Sequence, residues 1–506
     1  MKTCNPKKNA LLLVGLGAAT LPAAAQKQVH KEAKRPNIVL LMTDQQRFDA
    51  VGYVNSAVET PNLDKLAQDG VIFRNAYTSA PSSTPARAGL LTGQSPWQHG
   101  MLGYGQVAEQ YPNEMPRMLS QAGYYTVGVG KMHWFPQRNL HGFHKTLLDE
   151  SGRVEDKGFT SDYRKWFVQQ APGINPDSTG IGWNDHAAKA YVLPERLHPT
   201  VWTAQTAIDE IRSSDSNHPL FIKISFARPH SPYDPPQRFL DMYASTKIQE
   251  PAVGDWDADF KKENSAPDAA WGDFGAEHAV KSRRHYYASV TFIDEQVGHI
   301  IQALKEKGIY DNTLILFTSD HGDMLGDHYL WRKTYAYEGS AHIPMFMKLP
   351  KGMKTAIKRG TTLDHPVELR DVLPTFLEAA GIGQPSNMDG QSMLTLVKNR
   401  KNTWRSYIDM EHTTTYFAHN YWCALTDGKM KYIWFFDGSQ QLFDLRQDTY
   451  ERHDLSQQPQ SAKELKLWHG RMVEHLRERG EEFVKNNELV IRPKAMLYSP
   501  NYPQKR

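Results

Sequence analysis

The chain has 506 residues, of which 40% are hydrophobic and 23% are charged, a composition typical of a globular protein. A formal net charge of only +3 argues against nucleic acid as a partner. After the first 25 residues no apolar stretch approaches the ~18 residues needed to span a membrane, and the length predicts several domains or one large α/β domain with an appendage.

The N-terminal segment, residues 1–25, has the pattern of a secretory signal peptide. Basic residues precede an apolar run that ends in Ala23-x-Ala25, which predicts cleavage before Gln26. Cys4 lies ahead of the apolar run, so it cannot become a lipid-bearing cysteine after cleavage. We therefore expect a periplasmic or secreted protein that has no membrane insertion once the signal is removed. Residues 26–35 are charged and predict a disordered linker.

Five short apolar runs predict strands of a largely parallel sheet that is covered on both faces. They are NIVLLMTD (37–44), YYTVGVGK (124–131), PLFIKISFARPH (219–230), TLILFTSDHG (313–322) and IPMFMKLP (343–350). Helix-like segments lie between them, most clearly from Arg284 to Lys305, where apolar residues recur at three- and four-residue steps. This alternation predicts an α/β fold with a large doubly wound mixed sheet, flanked by helices, over residues 36–400.

The pattern of predicted elements changes after residue 400. YWCALTDGKMKYIWFF (421–436) and QQLFDL (440–445) predict antiparallel strands, with a turn at Asp427-Gly428. A charged helix is predicted over 461–484, so residues 401–506 indicate a smaller C-terminal α+β subdomain with a small antiparallel sheet. Residues 250–285 predict a long irregular insertion of the kind that is often functional.

Polar or charged side chains follow four of the predicted strands, namely Asp44, Lys131, His230 and Asp320. In open α/β sheets, ligand sites lie outside the carboxyl ends of the strands, so these residues form a constellation. The pairs Asp44-Gln45 and Asp320-His321 offer two carboxylates, an amide oxygen and an imidazole. This set suits a hard divalent cation such as Ca²⁺ better than zinc. Each acid alone could equally cap the next helix.

The stretch SAPSSTPARAGLLTGQ (79–94) predicts a helix that Pro85 opens and Gly93 closes. Ser83 would then lie at the helix N-terminus, where backbone N–H groups and the helix dipole favour an anion. Arg87 follows one turn later and can donate to a tetrahedral oxyanion or to the side chain of residue 83. A plain serine cap with a surface arginine would explain the serine and the proline but not Arg87. An unmodified serine hydroxyl with no base beside it is a poor nucleophile.

Four more residues predict anion binding and proton transfer. Lys131 and His133 follow a strand two residues apart, so they face one side if the chain stays extended. His230 stands between prolines, which would mount an acid–base group rigidly. Lys333 follows the Asp320 strand and could reach the same anion. Each of these residues alone could be an ordinary loop residue. Only the whole set supports an anion-binding site.

The ordered motifs together resemble the type I (formylglycine-dependent) sulfatase family of the alkaline phosphatase superfamily. They are Asp-Gln, Ser-x-Pro-x-Arg with Leu-Thr-Gly, Gly-Lys-x-His, Pro-His-x-Pro, Asp-His-Gly and a downstream Lys, over about residues 36–350. The C-terminal subdomain also resembles that of this family. The resemblance implies a serine-type bacterial carbohydrate sulfatase.

The resemblance implies that Ser83 is oxidised to Cα-formylglycine. One hydroxyl of the hydrated aldehyde would attack sulfur, and the second would collapse to the carbonyl and expel sulfate. Serine rather than cysteine at this position implies a radical-type, oxygen-independent maturation enzyme as a partner.

The resemblance also implies a role for each site residue. Asp44, Gln45, Asp320 and His321 would hold one Ca²⁺ together with an oxygen of residue 83. Arg87 would orient the formylglycine, while Lys131 and Lys333 would bind sulfate oxygens. His230 would protonate the departing sugar oxygen, and His133 would assist collapse of the diol.

Three departures from the family pattern affect these expectations. Gln45 replaces a more frequent aspartate, which removes a charge from the metal cage but keeps an oxygen. Ala86 replaces a common serine. Gln94 replaces the arginine that usually ends the Leu-Thr-Gly-Arg signature, which bears on how efficiently Ser83 is modified.

The expected substrate is a sulfated carbohydrate of a host-type glycan, such as sulfated galactose or N-acetylgalactosamine of a glycosaminoglycan or mucin. Candidates for contacts with substrate hydroxyls are His99, His186, Asp327, His328 and Glu338. Two alternatives stay open. One is a phosphodiesterase or phosphonate monoester hydrolase of the same superfamily. The other is a sulfated-glycan-binding protein that has lost catalysis, which predicts an unmodified Ser83.

Overall fold

The computed structural model describes residues 35–151, 158–398, 403–413, 415–416 and 420–503. The predicted signal peptide and nearly all of the predicted linker lie outside these residues. The strands are β1 (Asn37–Asp44), β2 (Gly70–Phe73), β3 (Ala76–Tyr77), β4 (Tyr125–Gly130), β5 (Lys145–Leu148), β6 (Leu220–Pro229), β7 (Thr313–Ser319), β8 (Met345–Lys348), β9 (Thr361–Leu363), β10 (Val367–Glu368), β11 (Ile408–His412), β12 (Trp422–Thr426), β13 (Met430–Phe435), β14 (Gln440–Asp444), β15 (Val484–Lys485) and β16 (Glu488–Leu489).

The α-helices alternate with the strands through the first 400 residues. They are α1 (Pro61–Gln68), α2 (Ser83–Thr92), α3 (Pro96–His99), α4 (Met115–Gln121), α5 (Asp162–Gln170), α6 (Pro199–Ser213), α7 (Gln237–Met242), α8 (Ala276–Glu306), α9 (Glu338–Ala341), α10 (Val372–Ala379), α11 (Leu394–Lys398) and α12 (Ala462–Arg477). Among these described residues, none of the helices combines the length and the apolar character needed to cross a bilayer.

The large sheet has eight strands in the order β5-β4-β6-β1-β7-β8-β2-β9. The neighbouring strands β5, β4, β6, β1 and β7 are parallel, while β8 runs antiparallel to both β7 and β2. All five apolar runs that predicted strands are strands of this sheet. The expected mixed α/β fold is therefore confirmed.

Strand β1 shows why helices cover both faces of the sheet. Every residue of β1 is buried. Successive side chains of a strand point to opposite faces, so Ile38 and Leu40 join one core and Val39 and Leu41 join the other. The first core includes side chains of α2, α4 and α10, and the second includes side chains of α1, α6 and α8. This doubly covered arrangement explains the continuous apolar runs in the sequence.

Two helix bounds differ from the sequence predictions. Helix α8 begins at Ala276, whereas the sequence predicts a start near Arg284. The first two turns bury small or polar side chains, so no apolar periodicity marks them in the sequence. The C-terminal helix α12 ends at Arg477, whereas the sequence predicts an end at residue 484. Gly480 adopts a left-handed φ of 92° and breaks the helical path. The irregular insertion therefore ends at Gly275.

The C-terminal sheet is antiparallel and has the order β11-β12-β13-β14. One of its faces packs on α12 through Trp468 and Leu476. The other face places Trp422 and Ile433 against residues between β7 and β8, including Leu330. The predicted subdomain thus has two apolar faces, one for its own helix and one for the rest of the chain, while its exact boundary at residue 400 stays a prediction.

Candidate active site

The carboxyl ends of four adjacent strands build the centre of the site. Strands β4, β6, β1 and β7 are neighbours, and they are followed by Lys131, His230, Asp44 (the last residue of β1) and Asp320. The pairing of β1 with β6 shifts register between Met42 and Asp44. The backbone N–H of His230 then donates to the carbonyl of Asp44 over 3.1 Å. The sheet itself therefore brings these side chains to one edge.

A group of potential metal ligands lies at this edge. Ligand atoms of Asp44, Asp320 and His321 are all within 4.8 Å of one another, and the three side chains are buried. Asp44 Oδ1 is buried and accepts no hydrogen bond from the part of the chain that the structure describes. A carboxylate oxygen in that position is costly unless a cation or a donor completes its environment. The two carboxylates and the imidazole therefore fit a divalent cation.

Gln45 occupies the same edge with its amide held at both ends. Its Nε2 donates to Asp323 Oδ2 over 2.6 Å, and its Oε1 accepts from Lys333 Nζ over 2.8 Å. Its backbone N–H donates to Asp320 Oδ1 over 3.0 Å. Gln45 also has a left-handed φ of 67°, a conformation that is uncommon for residues other than glycine. The amide oxygen predicted as a metal ligand thus faces Lys333 in this structure.

Charge within the cluster keeps both carboxylates ionised. Burial by itself would raise the pKa of Asp44, but the positive charges of Lys131, His230 and Arg87 hold that pKa well below its usual value. Burial and Asp44 push the pKa of Asp320 upward, yet His321, Arg87 and Lys131 bring it below normal. Two anionic carboxylates are the form that binds a cation.

His321 is neutral in the same environment. Burial lowers the pKa of its imidazole to about 4, which outweighs the opposing effect of Asp320. Its Nδ1 lies 2.9 Å from the carbonyl of Gly322, so Nδ1 carries the proton and Nε2 presents a lone pair. Nε2 lies 3.6 Å from Asp320 Oδ2, on the side where the other ligand atoms gather.

Helix α2 presents Ser83 to this cluster. The helix begins at Ser83 and ends before Gly93, which has a left-handed φ of 69°, so it starts two residues earlier than Pro85 predicts. Ser83 Oγ lies 3.0 Å from His321 Nε2. The expectation that no base stands beside Ser83 is therefore wrong, because His321, which follows β7 and is 238 positions from Ser83 in sequence, lies there. Unlike a triad histidine, His321 has a carbonyl rather than a carboxylate on its far nitrogen.

Arg87 links the two acids from the next turn of α2. Its Nε donates to Asp320 Oδ2 over 3.1 Å and its Nη2 donates to Asp44 Oδ2 over 3.0 Å. Its Nη1 donates to the carbonyl of Lys131 over 2.8 Å and to Ser225 Oγ over 3.1 Å. The arginine that a surface interpretation of α2 leaves unexplained is thus fully buried and joins three strand ends.

The two lysines contact different residues of the cluster. Lys131 Nζ lies 2.5 Å from Asp44 Oδ2, and Lys333 Nζ lies 2.8 Å from Gln45 Oε1. Nδ1 of His230 lies 2.9 Å from the carbonyl of Ser231, which fixes the orientation of the ring. An anion bound in front of Ser83 would therefore meet cationic groups from two separate segments of chain.

His133 does not reach its position through an extended chain. It has a left-handed φ of 60°, so the chain is not extended at His133 and the condition under which Lys131 and His133 would face one side is not met. Its backbone N–H donates to Glu150 Oε1 over 3.0 Å, and its ring Nε2 lies 3.3 Å from the hydroxyl of Tyr104. Tyr104 is 39% exposed, which places His133 under a solvent-facing ring.

The five candidates for substrate contacts are all buried. His99 Nδ1 accepts from the backbone N–H of Met101 over 3.2 Å. His186 Nδ1 lies 2.8 Å from His278 Nε2, in a group of aromatic rings. The other three are in ion pairs: Asp327 with Arg47 and Arg283, His328 with Asp257, and Glu338 with His342 and Lys431. Their role in substrate binding stays a prediction.

Three residues that contact or neighbour the site residues were not predicted from the sequence. Asp323 accepts from Gln45, and Glu150 accepts from the backbone N–H groups of Met132 and His133. Lys223 lies on β6 with its Nζ 5.5 Å from the ring centroid of Trp134. Burial, together with the charge of Arg87, lowers the pKa of Lys223 to about 7. Two signals were available in the sequence, namely the second acid of Asp320-His321-Gly322-Asp323 and a lysine inside an apolar strand.

Comparison with known proteins gives consistent matches over most of the chain. A family model described as Sulfatase matches residues 36–382, and one described as N-sulphoglucosamine sulphohydrolase, C-terminal, matches residues 326–478. An arylsulfatase of Clostridium perfringens is 39% identical over 473 residues, which cover 90% of this chain and 97% of that protein. An N-acetylglucosamine-6-O-sulfatase of Bacteroides thetaiotaomicron is 27% identical, with 90% and 88% covered.

The fold also matches solved structures. A phosphonate monoester hydrolase from Silicibacter pomeroyi superposes with a TM-score of 0.73 at 22% identity, over 91% of this chain and 99% of that chain. At this level of identity the likeness concerns the fold alone. It agrees with the large mixed sheet described above.

Proposed function

Since this chain belongs to the sulfatase family of the alkaline phosphatase superfamily, and is thus a sulfuric ester hydrolase, we propose that it releases sulfate from a sulfated carbohydrate. The observation that carries the proposal is the position of Ser83. Its Oγ lies 3.0 Å from His321 Nε2, and His321 belongs to the cluster in which Lys131 contacts Asp44 and Lys333 contacts Gln45.

The proposed cofactors are one Ca²⁺ and a formylglycine made from Ser83 by a radical-type maturation enzyme. Asp44, Asp320 and His321 would hold the ion with Gln45 Oε1, and the buried, unpartnered Oδ1 of Asp44 supports this assignment. When bound, the ion would lower the pKa of an oxygen on residue 83 and offset charge on the sulfate. The hydrated aldehyde would supply an oxygen nucleophile for sulfur and a second hydroxyl that lets sulfate depart.

The surrounding residues bind and orient the sulfate group. Arg87 is fixed by both carboxylates, so it can hold residue 83 in one orientation. Lys131 and Lys333 can donate to sulfate oxygens as negative charge develops on them, in a buried site where such interactions are strong.

Two histidines supply the proton transfers of the proposed reaction. His230 Nδ1 faces a carbonyl, so its Nε2 is the atom suited to protonate the departing sugar oxygen. His133 would take the proton whose loss allows the hydrate to collapse. Its backbone is held by the carboxylate of Glu150.

The proposed substrate class rests on the relatives and on the site. A sulfatase of N-acetylglucosamine 6-O-sulfate is similar over 90% of this chain, which supports a glycan substrate. We further propose a host-type glycan containing sulfated galactose or N-acetylgalactosamine, and a periplasmic or secreted location. A panel of defined sulfated monosaccharides and disaccharides tests the sugar, and release from none of them would contradict a carbohydrate substrate.

A phosphodiesterase or phosphonate monoester hydrolase activity is the second candidate, because a protein named phosphonate monoester hydrolase shares the fold. Tetrahedral phosphate and sulfate esters call for similar hydrogen-bond donors. Relative rates on an aryl sulfate and on a bis-aryl phosphate ester separate the two candidates. We expect the sulfate ester to be hydrolysed faster.

The intact mass of residue 83 tests the proposed nucleophile directly. In protein from its natural source, the peptide that contains Ser83 is expected to weigh about 2 Da less than the unmodified peptide, because oxidation removes two hydrogens. Mass spectrometry after proteolysis makes the measurement, and a peptide with unmodified Ser95 is the internal reference. An unmodified Ser83 in active protein would instead favour a serine that His321 activates, and in inactive protein it would favour a glycan-binding role.

Replacing Lys333 with alanine tests the sulfate-binding assignment. We expect kcat/KM for an aryl sulfate to fall by about 10² to 10³, the usual effect of removing one donor to a developing oxyanion. The substitution Lys351→Ala is the matched control, since Lys351 is exposed and pairs only with Asp311 among the described residues. A Lys333→Ala enzyme within threefold of wild type would show that Lys333 does not bind the sulfate.

A further inference from the structure

The C-terminal subdomain places a buried imidazole against the residue that precedes Ser83. His412 is the last residue of β11, and its Nε2 lies 2.8 Å from Ser82 Oγ. Both side chains belong to residues that are 1% exposed, although 330 positions separate them in sequence. This contact joins the small antiparallel sheet to the start of helix α2.

Ser82 is the N-cap residue of α2, yet its hydroxyl does not cap the helix. A serine in this position commonly accepts a hydrogen bond from a backbone N–H in the first turn. In α2 the Ser82 side chain makes no such bond, and only its carbonyl takes part, by accepting from the N–H of Ala86 over 3.1 Å. The hydroxyl is directed to His412 instead. A long-range contact therefore sets the orientation of Ser82.

Backbone hydrogen bonds fix β11 on both sides of His412. The N–H of Glu411 donates to the carbonyl of Ser79 over 2.9 Å, and the N–H of Thr413 donates to the carbonyl of Leu102 over 2.8 Å. His412 is thus held against the segment that leads into α2, with little freedom to move away from Ser82.

The same segment contacts the loop that carries Lys333. The N–H of Thr334 donates to the carbonyl of Pro81 over 2.8 Å. The Ser82 backbone therefore stands between the nucleophile position and one proposed sulfate ligand. A small rotation at Ser82 would move residue 83 relative to Lys333.

We propose that His412 is a positioning residue, which holds the Ser82 hydroxyl and thereby sets the orientation of residue 83 toward the metal and sulfate groups. The inference rests on the proposed function, since it takes residue 83 to be the nucleophile. Burial lowers the pKa of His412 to about 3, so the ring is neutral and acts through its hydrogen bond rather than through charge.

A double-mutant cycle tests the inference, with His412→Ala, Ser82→Ala, the double variant and His412→Gln. Misplacement of a reacting group by about 1 Å costs roughly 10²-fold in rate, so we expect His412→Ala to lower kcat about 10- to 100-fold with KM nearly unchanged. His412→Gln keeps a donor and acceptor near Nε2 and should recover part of the lost rate. Because the two residues act as one unit, the double variant should be no slower than the slower single variant.

Three measurements keep the outcome unambiguous. Activity is expressed per molecule with modified residue 83, so that failed maturation is not mistaken for failed positioning. His453→Ala, at an exposed histidine of the same subdomain, is the control. Ser82→Ala removes a single hydroxyl. If His412→Ala does not fold, the kcat of Ser82→Ala still tests the inference.

Wild-type kcat in His412→Ala or Ser82→Ala, multiplicative losses in the double variant, or no recovery with His412→Gln would overturn the positioning role. Wild-type protein that releases no sulfate from any ester would instead contradict the proposed function. The two failures are therefore distinguishable.

Discussion

Ser83→Ala is expected to lower sulfate ester hydrolysis by about 10⁴-fold or more, since removing the proposed covalent nucleophile leaves only the binding and electrostatic contributions of the site. Ser83 Oγ is the oxygen that lies against His321 Nε2 at the centre of the cluster, and alanine has no oxygen to put in its place. Stopped assays of sulfate release from an aryl sulfate, run with enzyme at high concentration, provide the needed sensitivity.

The folded state should survive the Ser83→Ala substitution. The variant loses one hydrogen bond, a change worth about 1 kcal/mol in the free energy of unfolding. Ser213→Ala, at an exposed position of α6, is the matched control and should have wild-type activity. Activity of Ser83→Ala within tenfold of wild type would exclude residue 83 as the nucleophile, whatever its oxidation state.

Asp320→Asn should lower kcat/KM by about 10³-fold, because one substitution removes a proposed metal ligand and a charge that orients Arg87. Asparagine keeps the shape of the side chain. The protein should fold, since Arg87 retains its hydrogen bonds to Asp44 and to the Lys131 carbonyl. Rates with an aryl sulfate and far-ultraviolet circular dichroism measure the two effects separately.

Metal binding gives Asp320→Asn a second readout that does not depend on turnover. A ligand that binds only the folded state stabilises it, by about 2.7 kcal/mol at 100 times its Kd. Ca²⁺ should therefore raise the Tm of metal-stripped wild-type protein clearly and that of Asp320→Asn much less. Asp311→Asn, at an exposed acid, should respond like wild type. Equal Tm shifts in all three proteins would show that Asp320 is not a ligand.

The sequence predicted the centre of the fold better than its edges. Strands such as β1, β6 and β7 are buried on both faces, so they read as continuous apolar runs. The edge strands β5 and β9 are short and only partly buried, and no such run marks them. Helix α8 was placed correctly only where its buried side chains are large and apolar.

The site residues at strand ends were predictable because sheet topology alone brings them together. Contacts between distant segments were not. The approach of His321 to Ser83 and of His412 to Ser82 joins positions 238 and 330 apart, and no local pattern encodes them. The left-handed backbone at His133 was equally invisible, since the sequence there contains no glycine to signal it.

The placement of Asp44, His230 and Asp320 at the ends of three adjacent strands has a thermal consequence. Ladder hydrogen bonds between β6, β1 and β7 set the spacing of these groups, so their geometry cannot relax without opening the middle of the sheet. Amide protons of β1 should accordingly be among the last to exchange with solvent. On heating, inactivation should coincide with the cooperative melting of the whole molecule rather than precede it.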